Sequence, residues 1–321
     1  MPLFDSLRWD TVWVVRHSAL FALPAILGRL SPAQRRTVGL ETVVALSADK
    51  HATVRCGVLE SLGEVLYTFV NDDSGPPEQL VQLFLGRKDD KIIRTGQIDS
   101  YSTLQLALTS LKGQNHVSPL ESFYTLGKRP LICAFNFPAV VLTLGGDRWA
   151  KLRENYLDLV KNPNVNVSRT LAASVGEIAK IVGAANARRD LLDVWRGFLK
   201  SAEVDVRIKA MESLLDLMKA VIIEDKRIGG EMVGAVRKAW QDNLFNAWRE
   251  RECVQKRLIS WFTVVWNAGR GRIDLEIVGI FRDLLTRGLE DSAANVREAA
   301  VANVRFLFYF SSLLRTDNNL F

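Results

Sequence analysis

Apolar residues recur along this chain at the spacing of one helical face. Steps of the Val-Arg type set a common frame at Val15-Arg16, Val54-Arg55, Val167-Ser168, Val206-Arg207, Val254-Gln255 and Val296-Arg297. Four residues after the second member of each step stand Leu20, Leu59, Ala172, Met211, Ile259 and Val301, and seven after it Leu23, Leu62, Val175, Leu214, Phe262 and Val304. Positions −1, +4 and +7 share one side of an α-helix, so the pattern predicts six helices, each buried along a single stripe.

Turn signals mark where these helices start. Six residues before the frame come Asp10, Asp49, Asn162, Ser201, Arg249 and Asp291, five of them small polar residues that suit a turn entering a helix. Two weaker copies of the frame, centred on Arg94 and Pro130, fill the gap between Arg55 and Ser168. The frame then advances in steps of 39, 39, 36, 38, 39, 48 and 42 residues, close to the ~40 to 47 of helix-pair repeats. Partner helices lie between: SPAQRRTVGLETVVAL with Ser31 as N-cap and Pro32 at the first helical position, and segments starting near Asp147, Asn186 and Ile273.

The expected fold is therefore all-α, a HEAT-repeat α-solenoid of about seven to eight stacked helix pairs, irregular near its middle. Residues 1–112 are expected to form N-terminal repeats, 113–128 an irregular insertion, and 129–321 C-terminal repeats continuing one solenoid. NDDSGPP from Asn71 to Pro77 and NAGRGR from Asn267 to Arg272 read as connectors, and Gln114 to Leu126 as a long excursion. Too little chain precedes Asp10 for a full partner helix, so the first repeat is expected to be half a repeat or the chain a shortened array.

Composition narrows the function. Hydrophobic residues make up 48% and charged residues 24% of 321, which is enough for a core and too apolar for disorder. The net charge of +6 comes from 42 basic residues interspersed with 36 acidic ones, so nucleic acid is not an expected partner. The basic pairs Arg35-Arg36, Arg188-Arg189 and Lys256-Arg257 read as solvated helix faces. Cys56, Cys133 and Cys253 are too few and too scattered for a disulfide framework, and fit a reducing compartment, cytoplasmic or nuclear. The N-terminus lacks the pattern of a signal peptide, and the apolar run from Ile132 to Gly146 is too short to span a bilayer, so no membrane is expected.

No phosphate loop, nucleophile elbow or metal-binding pattern is present, and His17, His51 and His116 have no ligand-type residue at helical spacing. No enzyme activity, cofactor, metal or small-molecule ligand is expected. The recurring spacing of Asp10 to Arg16, Asp49 to Arg55 and Asp291 to Arg297, with Arg207 in the same register, suggests a polar ladder. In it each arginine would serve acids or carbonyls of an adjacent repeat. Ser168 interrupts it. Most of the eight tryptophans should pack between helices, with Trp9 a candidate anchor for a partner.

The segments RHSALFALPAILGRLSPAQRRTVGLETVVALS, VRCGVLESLGEVLY, LGRKDD, RPLICAFNFPAVVLTLGGDRW and SRTLAASVGEIAKIVG resemble the HEAT-repeat regulatory subunit 1 family of protein phosphatase 4. More distantly they are similar to the scaffold subunit of protein phosphatase 2A. The resemblance covers most of residues 11 to 315. It implies a non-catalytic scaffold whose intra-repeat turns bind a serine/threonine phosphatase catalytic subunit. Those turns hold Asp49, Lys50 and His51; Asn162 and Asn164; Ser201 and Glu203; and Asp291 and Ser292. A transport or chromatin adaptor that reads acidic peptides or nucleic acid is the alternative for the same fold.

Overall fold

In the computed structural model, which describes residues 2–86 and 119–304, each frame step within those residues lies in a helix. The Arg94 copy and the 98–116 segment fall outside them. Contacts divide the chain into two compact units, Met1–Tyr156 and Leu157–Phe321.

The first unit contains α1 (Pro2–Arg8), α2 (Trp13–Leu27), α3 (Pro32–Ser47), α4 (Ala52–Tyr67), α5 (Glu78–Leu85), α6 (Pro119–Tyr124) and α7 (Arg129–Leu144). The division falls inside α8 (Trp149–Val160). Helices α2, α4 and α7 pack side by side as one layer, while α3 crosses behind α4 and meets α5. The shared stripe is wholly buried at Leu20, Leu23, Val54, Leu59, Leu62, Phe137 and Val140. Each such side chain contributes roughly 1.5–3 kcal/mol of transfer free energy. At α3 the Ser31 side chain accepts from the Gln34 N–H and Pro32 takes the first helical position, where a missing N–H costs nothing.

One expectation needs correction here. The stretch before α2 does form a partner helix, α1, although it is only 7 residues long. Arg8 compensates for the small face: it donates to Thr42 Oγ1 at 2.6 Å and to Glu41 at 3.0 Å on α3. Within the segment read as an irregular excursion, Pro119–Tyr124 forms the short helix α6, with Phe123 wholly buried, and residues 125–128 are turn.

The second unit repeats the scheme. Its helices are α9 (Val165–Val182), α10, α11 (Val204–Val221), α12 (Arg227–Gln241), α13 (Trp248–Ala268), α14 (Leu275–Leu289) and α15, described over 294–304. Helix α10 is assembled from Ala184–Asn186, a π-helical stretch Ala187–Leu191, and Leu192–Leu199. One layer stacks α9 on α11 and α11 on α13; the other stacks α10 on α12 and α12 on α14. The closest approach is α9 against α11, where a Cβ added at Gly176 would stand 2.7 Å from the Ser213 carbonyl oxygen. Trp195 bridges the layers, donating from Nε1 to the Ala210 carbonyl at 2.8 Å. No strand occurs among the described residues, and no single helix there is long and apolar enough to cross a membrane.

Candidate functional site

The turns that enter the frame helices share one construction. Two residues before the residue that opens the helix, a side-chain oxygen accepts that residue's N–H. Asp10 takes it from Val12 (2.7 Å), Asp49 from His51 (2.8 Å), Asn162 from Asn164 (3.0 Å), Ser201 from Glu203 (3.2 Å) and Asp291 from Ala293 (2.8 Å). Four residues into the helix an arginine folds back and its Nη1 clamps the two carbonyls of the turn. Arg16 holds Asp10 and Thr11; Arg55 holds Asp49 and Lys50; Arg207 holds Ser201 and Ala202; Arg297 holds Asp291 and Ser292, all at 2.6–3.1 Å. These carbonyls precede the helix and would otherwise need water.

The same geometry corrects the register of one repeat. It is Arg251 that clamps the Phe245 and Asn246 carbonyls, at 2.9 and 3.1 Å, so Arg251 and not Gln255 holds the frame position. Arg249 is accordingly an exposed residue inside α13, not a turn residue. The apolar pattern misled because this repeat buries polar groups at its −1 and +4 positions, Glu250 and Gln255, both fully inaccessible. Val301, expected in the core, is 44% exposed, because no described helix covers that side of α15.

With one end clamped, the guanidiniums of Arg16, Arg207 and Arg251 also reach the next repeat of their layer. Arg16 forms a fork on Asp49, Nε to Oδ2 at 2.7 Å and Nη2 to Oδ1 at 3.0 Å. Arg251 does the same to Asp291, at 2.6 and 3.2 Å. Arg207 turns instead to Glu250, 2.5 Å from its Nε. Burial by itself would push the Asp49 carboxyl up, but the Arg16 hydrogen bond and the His51 N–H hold it below the usual carboxylate range. At Asp291 burial is likewise outweighed, here by Arg251 and the Ala293 N–H.

The predicted contact residues therefore separate into two groups. The Asp49 and Asp291 side chains are 7% and 5% exposed and are committed to arginines of the preceding repeat, so they hold the fold rather than face outward. Asn162, Asn164 and Ser201 use their side-chain oxygens on the backbone, although Asn164 remains exposed. Lys50, Glu203 and Ser292 are exposed. His51 is half-buried and stacks on Trp13, ring centroids 5.6 Å apart. Trp9 is 43% exposed beneath the Arg8 guanidinium, 4.8 Å from its ring. In the second unit the turns at 162–164, 201–203, 245–247 and 291–293 all feed helices of one layer, and so emerge at one edge of it. That edge, polar and backbone-rich, suits a large protein surface more than a small molecule.

Of the basic pairs, every member but Arg36, which donates to the Gly75 carbonyl, meets an acid. Arg35 meets Asp72 at 2.7 Å, Arg188 meets Asp225 at 3.6 Å, Arg189 meets Asp190 at 2.7 Å, Lys256 meets Glu252 at 2.9 Å and Arg257 meets Glu212 at 3.5 Å. No group of three or more His, Cys, Asp or Glu that could hold a metal ion occurs among the described residues. Burial, with Glu60 beside it, pushes the Cys56 thiol up to about 11.

Comparison with known proteins matches residues 133–231, from α7 into α12, to the middle domain of protein phosphatase 4 regulatory subunit 1. Over 95 residues the chain is 40% identical to serine/threonine-protein phosphatase 4 regulatory subunit 1 of Homo sapiens, and equally to that of Mus musculus. The aligned stretch is 30% of this chain and 10% of each relative. Two solved engineered proteins align over 92% and 94% of the chain, and over 96% and 87% of their own. Their TM-scores are 0.36 and 0.29, at 13% and 14% identity.

Proposed function

We propose that the chain, whose residues 133–231 match the middle domain of protein phosphatase 4 regulatory subunit 1, is a non-catalytic scaffold binding a serine/threonine phosphatase catalytic subunit of the protein phosphatase 4 type. The observation that carries this reading is the family match itself, which covers α9, α10 and α11 together with the turns at 162–164 and 201–203. Those turns present Asn164 and Glu203 to solvent at one edge of a helix layer. A rigid edge of this kind contacts a large folded partner without ordering cost. Lys50, His51, Ser292 and Trp9 are the candidate contacts outside the matched stretch. The reading places the chain in the cytoplasm or nucleus.

The test uses the purified full chain and a purified protein phosphatase 4 catalytic subunit in size-exclusion chromatography and calorimetry. Co-elution with a saturable affinity, weakened by Asn164→Ala combined with Glu203→Lys at unchanged helicity, supports the reading. No co-elution at micromolar concentrations sinks it.

A further inference from the structure

The connector between α4 and α5 carries Ser74 at an exposed position, with Asp72 and Asp73 before it and Gly75, Pro76 and Pro77 after it. Both prolines are buried and anchor its far end, and the Gly75 N–H donates to the Asp72 carbonyl at 2.7 Å, so the chain turns sharply at the serine. Two arginines from other elements converge on this turn. Arg36 of α3 donates from Nη2 to the Ser74 hydroxyl oxygen, and to the Gly75 carbonyl at 2.5 Å. Arg148 comes from the 3-10 turn Gly146–Arg148 that precedes α8. It packs on the Gly75 α-carbon, where φ is +61° and a Cβ would stand 3.2 Å from Nη1 and 3.5 Å from Nη2.

These two guanidiniums are the cations that the corner leaves without an acid. Arg35 takes Asp72 at 2.7 Å and Lys151 takes Glu78 at 3.3 Å, whereas neither Arg36 nor Arg148 forms an ion pair among the described residues. Asp73 is exposed and meets neither of them. Arg36 lies over the Phe69 ring, 5.8 Å from its centroid, which fixes the guanidinium beside the serine. A lone hydroxyl offers one neutral oxygen to two charged forks. A phosphoserine offers three acceptor oxygens and a charge of about −1.5 to −2 at pH 7, which matches what the two arginines present.

We propose that Ser74 is a phosphorylation site whose phosphate is held between Arg36 and Arg148, so that the modified connector braces α3 against the start of α8. A protein kinase with Mg²⁺-ATP supplies the group. The bond from Ser74 Oγ to the γ-phosphorus forms as the bond from that phosphorus to the bridging oxygen breaks, ADP leaves, and the hydroxyl proton passes to the base of the kinase. Asp72, Asp73 and Glu78 around the serine suit a kinase whose substrate groove is basic. The inference stands on the geometry of the connector and does not depend on which phosphatase the chain binds.

The experiment has two arms. In the first, phosphoserine is installed at position 74 of the full chain during translation, and its ³¹P resonance is followed through pH beside that of a phosphopeptide spanning residues 70–80. The second ionisation is expected near pH 6 in the peptide and about one unit or more lower in the folded chain, because two guanidiniums favour the dianion. Arg36→Gln and Arg148→Gln should each raise it, and the pair together should return it to the peptide value at unchanged helicity. Equal values in chain and peptide overturn the clamp, and a response to only one arginine overturns the brace. In the second arm the full chain is produced in yeast, recovered under phosphatase inhibition and mapped by mass spectrometry. Phosphate localised to Ser74, and lost in Ser74→Ala, supports the assignment. Its absence from Ser74 overturns the serine as a modification site.

Discussion

Arg207 on α11 and Glu250 on α13 meet with Nε 2.5 Å from Oε1, their side chains 5% and 0% exposed. Glu250 also accepts the Ala247 N–H at 2.9 Å, and Arg207 clamps the turn before α11, so one pair ties two successive turns together. Removing a single partner leaves the other charge buried. Glu250→Leu or Arg207→Leu should each cost about 3–5 kcal/mol, whereas the double change to Leu should cost less than the sum. Urea denaturation of the three variants checks it, and strict additivity would contradict the coupling.

The glycines separate by what surrounds them. At Gly176 a new Cβ meets backbone and Asp216 Cβ at 2.7–2.9 Å, so α9 and α11 would have to part; Gly176→Ala is expected to lose about 1–3 kcal/mol. At Gly197 nothing lies within 4 Å, and Gly197→Ala should gain up to about 1 kcal/mol from helix propensity. Opposite shifts in thermal midpoint are the expected result.

The ladder aspartates make stability depend on acid. Because Asp49 and Asp291 ionise below the usual carboxylate range in the folded chain, the unfolded state binds their protons first, near pH 4. Their contribution is complete above that value and is lost as pH falls through the folded pKa. Stability against urea should therefore decline below about pH 4–5 in the natural chain. The decline should be shallower in Asp49→Asn and Asp291→Asn, which start from lower stability at pH 7. Parallel curves for all three proteins would refute this assignment.

Gln255 is the hub of the last described repeat. It donates to the Leu284 carbonyl at 2.8 Å and accepts from Asn303 Nδ2 at both its backbone and side-chain oxygens, linking α13, α14 and α15. Gly288 leaves room for it, since a Cβ there would lie 2.4 Å from Gln255 Cδ. Gln255→Leu removes the side-chain bonds to Leu284 and Asn303, while Asn303 keeps the carbonyl of residue 255, and should cost about 1–3 kcal/mol. Faster amide hydrogen exchange in α14 and α15 should accompany it.

The helix count and layering in these units were legible in the chain because they rest on local rules: a 3.6-residue stripe, a small polar residue before each helix, and Pro32 behind Ser31. The turn residues were legible for the same reason, since Asp10, Asp49 and Asp291 bond to N–H groups two residues away. What each acid does with its remaining oxygen depends on a residue 33 or 40 positions earlier in the chain, Arg16 or Arg251, and no local pattern contains that distance. Asp49 and Asp291 read from the sequence both as ladder members and as contact residues, and in the fold their side chains serve as rungs. The repeat that contains α13 shows the limit most clearly. Hydrophobic spacing chose Val254-Gln255, because a stripe can be recognised only where it is apolar. Tertiary packing chose Arg251, because buried Glu250 and Gln255 are satisfied by Arg207, Leu284 and Asn303 from other helices. The sequence by itself thus determined where the frame helices run and, outside α13 and α15, which face of each is buried. The tertiary structure alone decided which polar groups are spent holding turns together and which remain for a partner, since that depends on hydrogen bonds between residues that only folding brings together.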